Sequence, residues 1–397
     1  MQQGKKRQKI FFSTTFKLCD NNGYLSTQIY NFFVMNAHEM VKSPELSDVI
    51  VISTCGFDQE RENTSISIVE HFIRKFTDKE IIICGCLTKI NPGLFDTTRV
   101  KLIGPKELHK FNEIFNPALK IEDISGSQLK EQFISAQYGF IDAYYLQICQ
   151  GCVNHCSYCA IKTAKGFVTS KPIDLVIREV KQGMDRGYER FMLLADDCGS
   201  YGADIGTDFA DLLNVLWDFD IRLNINYIEP GSFQRLYPKI NKAVFEHIDF
   251  MNIPVQSTSE RILGLMNRHY DVKEVTKIIG VIKKDFPDIY FETHIIYGFP
   301  SETREEFQGA FHLADHFDSV IYFYYTDRKN VKASLLPGKL SADEMIYRTR
   351  EIMRHPLFTR EAEFATPPLV LLGYGLNERE LYKSIRREGE RVRIATS

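Results

Sequence analysis

No uninterrupted apolar run of eighteen residues occurs anywhere in the chain, and a membrane-spanning helix needs about that length. The opening MQQGKKRQKI also lacks the apolar core of a secretory signal before the first strand-like segment,. A cytoplasmic location without a membrane partner is therefore expected. A basic excess is missing too: 49 Lys and Arg against 52 Asp and Glu leave a net charge of -3. That balance gives none of the electrostatic footprint usual in nucleic-acid binders, so nucleic acid is not an expected partner. The basic stretches at residues 5–9 and 386–393 read as solvated termini,. Neither an internal repeat nor a low-complexity tract interrupts the pattern.

What is present is cysteine, nine in 397 residues. In a reducing compartment that number points to metal or redox chemistry and away from a disulfide framework. The chain is long enough for two or three domains. Residues 10–120 alternate apolar runs (IFFSTT, DVIVIS, EIIICG, RVKLIG) with amphipathic stretches at residues 23–41, 58–76 and from Pro105. This is the pattern of a parallel α/β sheet. The polar stretch that follows supplies a linker at residues 126–137, between an N-terminal α/β domain at 1–125 and a second domain at 138–350,. In the second domain YYLQI, RFMLLA, RLNINYI, DFMNIPV, IYFETHII and VIYFYY alternate with helical periodicity. Six such units predict a partial (β/α)6 barrel, the region being too short for eight. Residues 351–397 form a short C-terminal extension without a run of alternating strands.

The segment GCVNHCSYC places Cys152, Cys156 and Cys159 directly after the first strand of the second domain. A C-x3-C-x2-C run lets one loop wrap three thiolates around one cubic cluster. Zinc held by three cysteines and His155 is the alternative, although structural zinc sites usually use two separated knuckles. The segment resembles the radical S-adenosylmethionine (SAM) superfamily. That resemblance implies a 4Fe-4S cluster whose open iron chelates SAM and cleaves it to a 5'-deoxyadenosyl radical, with Tyr158 against the adenine. Cys149, at the end of a strand, reads as a packed thiol.

In the first domain Cys19, Cys55 and Cys86 each follow a strand. Parallel strands deliver their carboxyl ends to one edge, so the three thiols can meet there. Cys84 competes for the third place, but it belongs to the apolar strand, whereas Cys86 lies beyond Gly85. The pieces CDNN, STCGF with ENTSISI, and CGCLTKINP, followed by LADDCGSYGADIG, IPVQSTSERILGLMNRHY and IIYGFPSETREEF, resemble the methylthiotransferases. TCGF and YGADIG are more similar to the ribosomal-protein aspartate branch than to the transfer RNA branch. The resemblance implies an auxiliary 4Fe-4S cluster on Cys19, Cys55 and Cys86, and SAM as both methyl donor and radical source. Methylthio insertion into a C-H bond, supported by a reductant such as flavodoxin or ferredoxin, would follow.

Positions near the carboxyl ends of barrel strands are candidates for binding SAM or substrate: Asp196, Asp197, Asn226, Glu229, Gln256, Thr293 and Gly298,. Cys198 reads as a packing residue. Family members carry a C-terminal β-barrel of TRAM type that this sequence does not show, and glycine where Ser301 stands. The missing barrel and the acidic balance favour a peptide or protein substrate. The alternatives are peptide crosslinking or oxidation without sulfur transfer, transfer RNA methylthiolation, and a non-catalytic iron-sulfur scaffold.

Overall fold

A computed structural model describes residues 7–15, 19–127, 143–328, 330–355 and 369–372. The chain divides into two compact units: Met1–Phe140 with Ala160–Phe167, and Ile141–Cys159 with Val168–Ser397. The proposed linker falls mostly on residues outside those described, as does most of the C-terminal extension.

The first unit contains β1 (Lys9–Thr14), α1 (Asp20–Met35), β2 (Glu39–Met40), β3 (Val49–Thr54), α2 (Gln59–Lys75), β4 (Glu80–Gly85), α3 (Leu87–Ile90), β5 (Lys101–Ile103), α4 (Lys110–Phe115) and α5 (Ile161–Lys165). Its five strands form a parallel sheet in the order β2-β1-β3-β4-β5. Every residue of β3 is buried, as a central strand covered on both faces requires,. Ile10, Val51, Ile82 and Ile103 pack under Phe32, Phe33 and Phe111 from α1 and α4. Ile50, Ile52, Ile81 and Ile83 face Val69 and Phe76 on the other side.

Helix α1 differs from the expected residues 23–41: it begins immediately after Cys19 and stops at Met35. The Asn36 amide donates to the carbonyls of Phe32 and Leu119, and Ala37 at φ 63° turns the chain toward β2. Residues 121–125 belong to the first unit. Gln28 and Asn31 of α1 donate to the carbonyls of Ile121, Ile124 and Ser125, and both isoleucines are buried.

The second unit contains β6 (Tyr144–Gln147), β7 (Cys149–Gln150), β8 (Thr169–Ser170), α6 (Ile173–Asp185), β9 (Arg190–Leu194), α7 (Phe209–Leu216), β10 (Arg222–Asn226), α8 (Pro230–Leu236), β11 (Ile248–Asn252), α9 (Glu260–Leu265), α10 (Val272–Asp285), β12 (Tyr290–Tyr297), α11 (Arg304–Gly309), β13 (Ser319–Tyr324), α12 (Ala342–Arg354) and β14 (Leu369–Leu372). The six expected strands lie side by side in a parallel sheet, and β14 adds a seventh: β14-β13-β12-β11-β10-β9-β6. The C-terminal extension thus contributes a strand, paired with β13 in parallel.

Strand alternation divides the two faces. Leu223 and Ile225 join the apolar core with Phe291, Ile295 and Val320. Asn224 and Asn226 take the opposite face. On the neighbouring strands the Asn252 amide nitrogen lies 2.6 Å from Glu292 Oε1 and 2.8 Å from His294 Nε2.

Candidate functional site

The loop of residues 151–159 begins where the short ribbon of β7 and β8 ends. Two carboxylates from the turn after β9 shape it. Asp196 Oδ2 accepts the Gly151 N–H at 2.8 Å. Asp197 accepts from the Ser200 hydroxyl (2.6 Å), the Gly199 and Glu229 N–H groups (2.9 and 3.0 Å) and the Asn154 amide (3.2 Å). The far end of the loop is clamped elsewhere. Ser157 donates its N–H to Met266 (2.9 Å) and its hydroxyl to Leu265 (2.7 Å), and its carbonyl accepts from Ala333 (2.8 Å). The loop's shape is therefore set by three separate segments of the barrel.

The loop sulfurs are surrounded by donors. Cys152 Sγ accepts the Asn154 N–H at 3.3 Å and lies 3.5 Å from the Ser200 hydroxyl oxygen, whose proton goes to Asp197. The Arg268 guanidinium reaches Cys156 Sγ at 3.6 Å and the Tyr158 hydroxyl at 3.4 Å, and lies 3.5 Å from Glu229. Burial, with Asp197 beside it, pushes the Cys152 thiol far above its ordinary range. A thiolate there needs a coordinated cation to offset that cost. Three partly exposed thiols on one loop, with hydrogen-bond donors aimed at two of the sulfurs, fit a cluster held by thiolates.

In the first unit, three thiols gather at the carboxyl edge of the sheet. Cys19 immediately precedes α1, Cys55 follows β3, and Cys86 starts α3. The Cys19 and Cys55 sulfurs are near enough to repel as thiolates, and burial first, then Cys19, pushes the Cys55 thiol up to about 11 against the pull of Arg61. A side chain placed at Gly56 would meet Leu87 Cα at 3.4 Å, so the Cys55 and Cys86 turns are packed on each other. Gly85 makes the second turn possible. Its φ is +100°, and an added Cβ would lie 2.3 Å from the Thr54 carbonyl oxygen,.

Cys84 faces the other way, into the core with Val51 and Ile103, its sulfur 3.5 Å from the Ile52 carbonyl. Burial pushes its thiol up to about 12. Cys149 and Cys198 are likewise packed, against the Asp197 carbonyl and the Asn226 and Leu193 carbonyls.

The other sequence candidates separate into two groups. Glu229 caps α8 and faces Arg268, while Asn226 ends β10, fully buried. Gln256, at φ 67°, joins β11 to β12 through its backbone. Its side-chain Oε1 is buried and has no partner among the described residues. Thr293, by contrast, donates its hydroxyl to the Ile253 carbonyl and accepts the Val255 N–H, so it stitches two strands together.

Gly298 turns at φ +77° against Met345, and its N–H is taken by Glu302, itself buried against Arg348. Ser301 keeps a left-handed φ of 65°, the conformation glycine supplies most easily, and is held by Arg261. Arg268, Asn154 and Ser200 were not singled out from sequence. Arg268 lies 112 positions from the cysteine it touches, and no local pattern marks such a pairing.

Comparison with known proteins places these features. Residues 146–314 match the family model described as Radical SAM superfamily, and residues 11–102 match Uncharacterized protein family UPF0004. A probable threonylcarbamoyladenosine tRNA methylthiotransferase of Pyrococcus horikoshii is 30% identical over 321 residues, 77% of this chain and 75% of that protein. A tRNA-2-methylthio-N(6)-dimethylallyladenosine synthase of Symbiobacterium thermophilum is 26% identical over 389 residues, covering 88% and 80%.

The radical SAM methyltransferase TsrM from Kitasatospora setae, solved with cobalamin and a 4Fe-4S cluster, superimposes with a TM-score of 0.59 at 11% identity, over 92% of this chain and 79% of that one. This last likeness concerns the fold alone. The two relatives act by name on tRNA, outside the ribosomal-protein branch. They overturn the expectation of a peptide or protein substrate and of no nucleic acid. The net charge behind that expectation is a sum over the whole chain and is blind to local patches.

Proposed function

This chain belongs to the radical SAM methylthiotransferase family, and from that premise we propose that it transfers a methylthio group to an N6-substituted adenosine of tRNA. The reaction draws on SAM and 4Fe-4S clusters. In this reading Cys152, Cys156 and Cys159 hold the cluster that reductively cleaves SAM, and Cys19, Cys55 and Cys86 hold the auxiliary cluster to which sulfur is delivered. Arg268 and Asn154 supply donors to the first set, and Ser200, bonded to Asp197, packs beside Cys152. Asp196 and Asp197 shape the loop, while Tyr158, Asn226, Glu229, Gln256 and Gly298 line the approach to it. Cys84, turned into the core, supports an auxiliary set of three thiolates and so a place for the transferable sulfur. That argues against crosslinking or oxidation without sulfur transfer.

The single observation carrying the substrate is the relative that matches over three quarters of its own length and is named for a tRNA adenosine. A local feature of the first unit supports it. Lys106 Nζ lies 2.5 Å from the Phe167 carbonyl and Lys162 Nζ lies 5.6 Å over the ring of Phe167, which is 55% exposed. Lys89 and Lys110 share Glu107 at 2.6 and 3.2 Å. Four lysines around one carboxylate and an exposed ring form the mixed basic and aromatic surface that RNA favours.

The test is to incubate anaerobically reconstituted protein with SAM, dithionite and tRNA bearing either threonylcarbamoyl- or dimethylallyl-adenosine, then digest and weigh the nucleosides. A methylthio adduct on one of them is expected. Cleavage of SAM with neither adduct formed would overturn the substrate.

A further inference from the structure

The first turn of α1 carries a side chain whose donors are unspent. Asn22 is 5% exposed and its amide nitrogen, buried, has no hydrogen-bond partner among the described residues. Its orientation is fixed from behind. The Ser26 hydroxyl donates to Ser53 Oγ at 2.9 Å, and the Ser53 hydroxyl donates to Asn22 Oδ1 at 3.3 Å. Each hydroxyl passes its proton forward, so the amide oxygen is the acceptor and the NH2 group is turned away from the serines. A buried NH2 group without an acceptor is costly, and native structures rarely keep one.

Its surroundings identify the missing acceptor. Cys19 is the extended residue immediately before the sixteen-residue helix α1, and Asn22 is the third residue of its first turn,. Ser53, which orients it, is two residues before Cys55 in the same strand and turn. The unspent donor thus belongs to the first turn of the helix that Cys19 precedes and is oriented by the strand that Cys55 follows, where the positive end of the α1 dipole adds to it.

We propose that Asn22 donates a hydrogen bond to an anionic sulfur at the auxiliary site, as a positioning residue for sulfur transfer. This rests on the assignment of Cys19, Cys55 and Cys86 to a cluster. The sulfur is either a sulfide of the cluster itself or the sulfide or methanethiolate that the cluster carries. A donor to either stabilises negative charge on it.

The experiment uses the full chain with Cys152, Cys156 and Cys159 changed to Ala, reconstituted anaerobically so that only the auxiliary cluster is loaded. The midpoint potential and the dissociation constants of added sulfide and methanethiolate are read by paramagnetic resonance titration. Asn22→Leu removes the donors. Asn22→Asp keeps the shape and the acceptor for Ser53, and decides the matter should the leucine variant lose iron. Both should lower the potential, weaken thiolate binding about tenfold or more, or both. A potential shift without added thiolate assigns the cluster's own sulfide, whereas lost affinity at unchanged potential assigns the carried sulfur. Full iron with neither quantity changed overturns the role of Asn22 alone. A parent protein that takes up no iron overturns the auxiliary cluster and this role with it.

Discussion

The two cysteine sets are brought together by opposite means. In the second unit one loop carries all three thiols, so the site is local in sequence and its difficulty is shape. Asp196, Asp197, Ser157 and Arg268 supply that shape from outside. In the first unit each thiol arrives on a different strand, so the site exists only once β1, β3 and β4 are in register. Its difficulty is approach: the turns after β3 and β4 must pack on each other, and Gly85 permits it. The lesson is that a local site is guarded by its neighbours, while an assembled site is guarded by the sheet.

The largest expected effect separates the two directly. Changing Cys152, Cys156 and Cys159 to Ala should remove about half the iron and abolish 5'-deoxyadenosine formation, measured by chromatography. Changing Cys19, Cys55 and Cys86 should also remove about half the iron yet leave SAM cleavage intact, with methylthio transfer lost. If either triple change empties the protein of iron, the two sites are not independent.

Next in size is the brace of the barrel. Arg348 from α12 is 1% exposed, pairs with the carboxylate of Glu302 and donates to its backbone carbonyl at 2.8 Å. Arg348→Met should cost about 3–5 kcal/mol by stranding a buried carboxylate, read by chemical denaturation.

The same pair makes stability depend on pH. Burial, against the pull of Arg348, pushes the Glu302 carboxyl from its ordinary 4.5 up to about 7. Between those values the folded chain binds the proton more tightly than the unfolded chain. Stability should therefore fall as pH rises from 4.5 toward about 7,. Glu302→Gln should flatten this slope in thermal unfolding scans across that window.

On the assembled side, Gly85→Ala should cost about 2–3 kcal/mol from backbone strain and strip the auxiliary iron while SAM cleavage persists. Equal loss of both activities would mean that the turn guards more than its own site. The smallest effect is a gain. Ser301→Gly relieves a left-handed φ and should stabilise by up to about 1 kcal/mol, less whatever the exposed bond to Arg261 contributes.

Sequence reading reached what is periodic or clustered. All six expected barrel strands and the four main strands of the first sheet stand where alternation put them. The two-residue β2 is too short to leave a period. β14 comes from an apolar segment with neither strand alternation nor a helix pattern around it. Arg268, Ser200 and Asn22 matter through side chains brought from afar or turned by a hydrogen-bond chain, and composition carries no trace of either. The expectation of a peptide or protein substrate came from a net charge, which averages over local groups such as Lys89, Lys106, Lys110 and Lys162,.

β14 has a consequence for biosynthesis. Its parallel pairing covers β13 along Val320–Phe323, yet it leaves the ribosome some fifty residues after its partner strand. During that interval the nascent barrel presents an apolar open edge, the kind of surface on which neighbouring chains pair and aggregate. Ribosome-bound chains halted before Leu369 should engage chaperones that chains halted well beyond Leu372 have released.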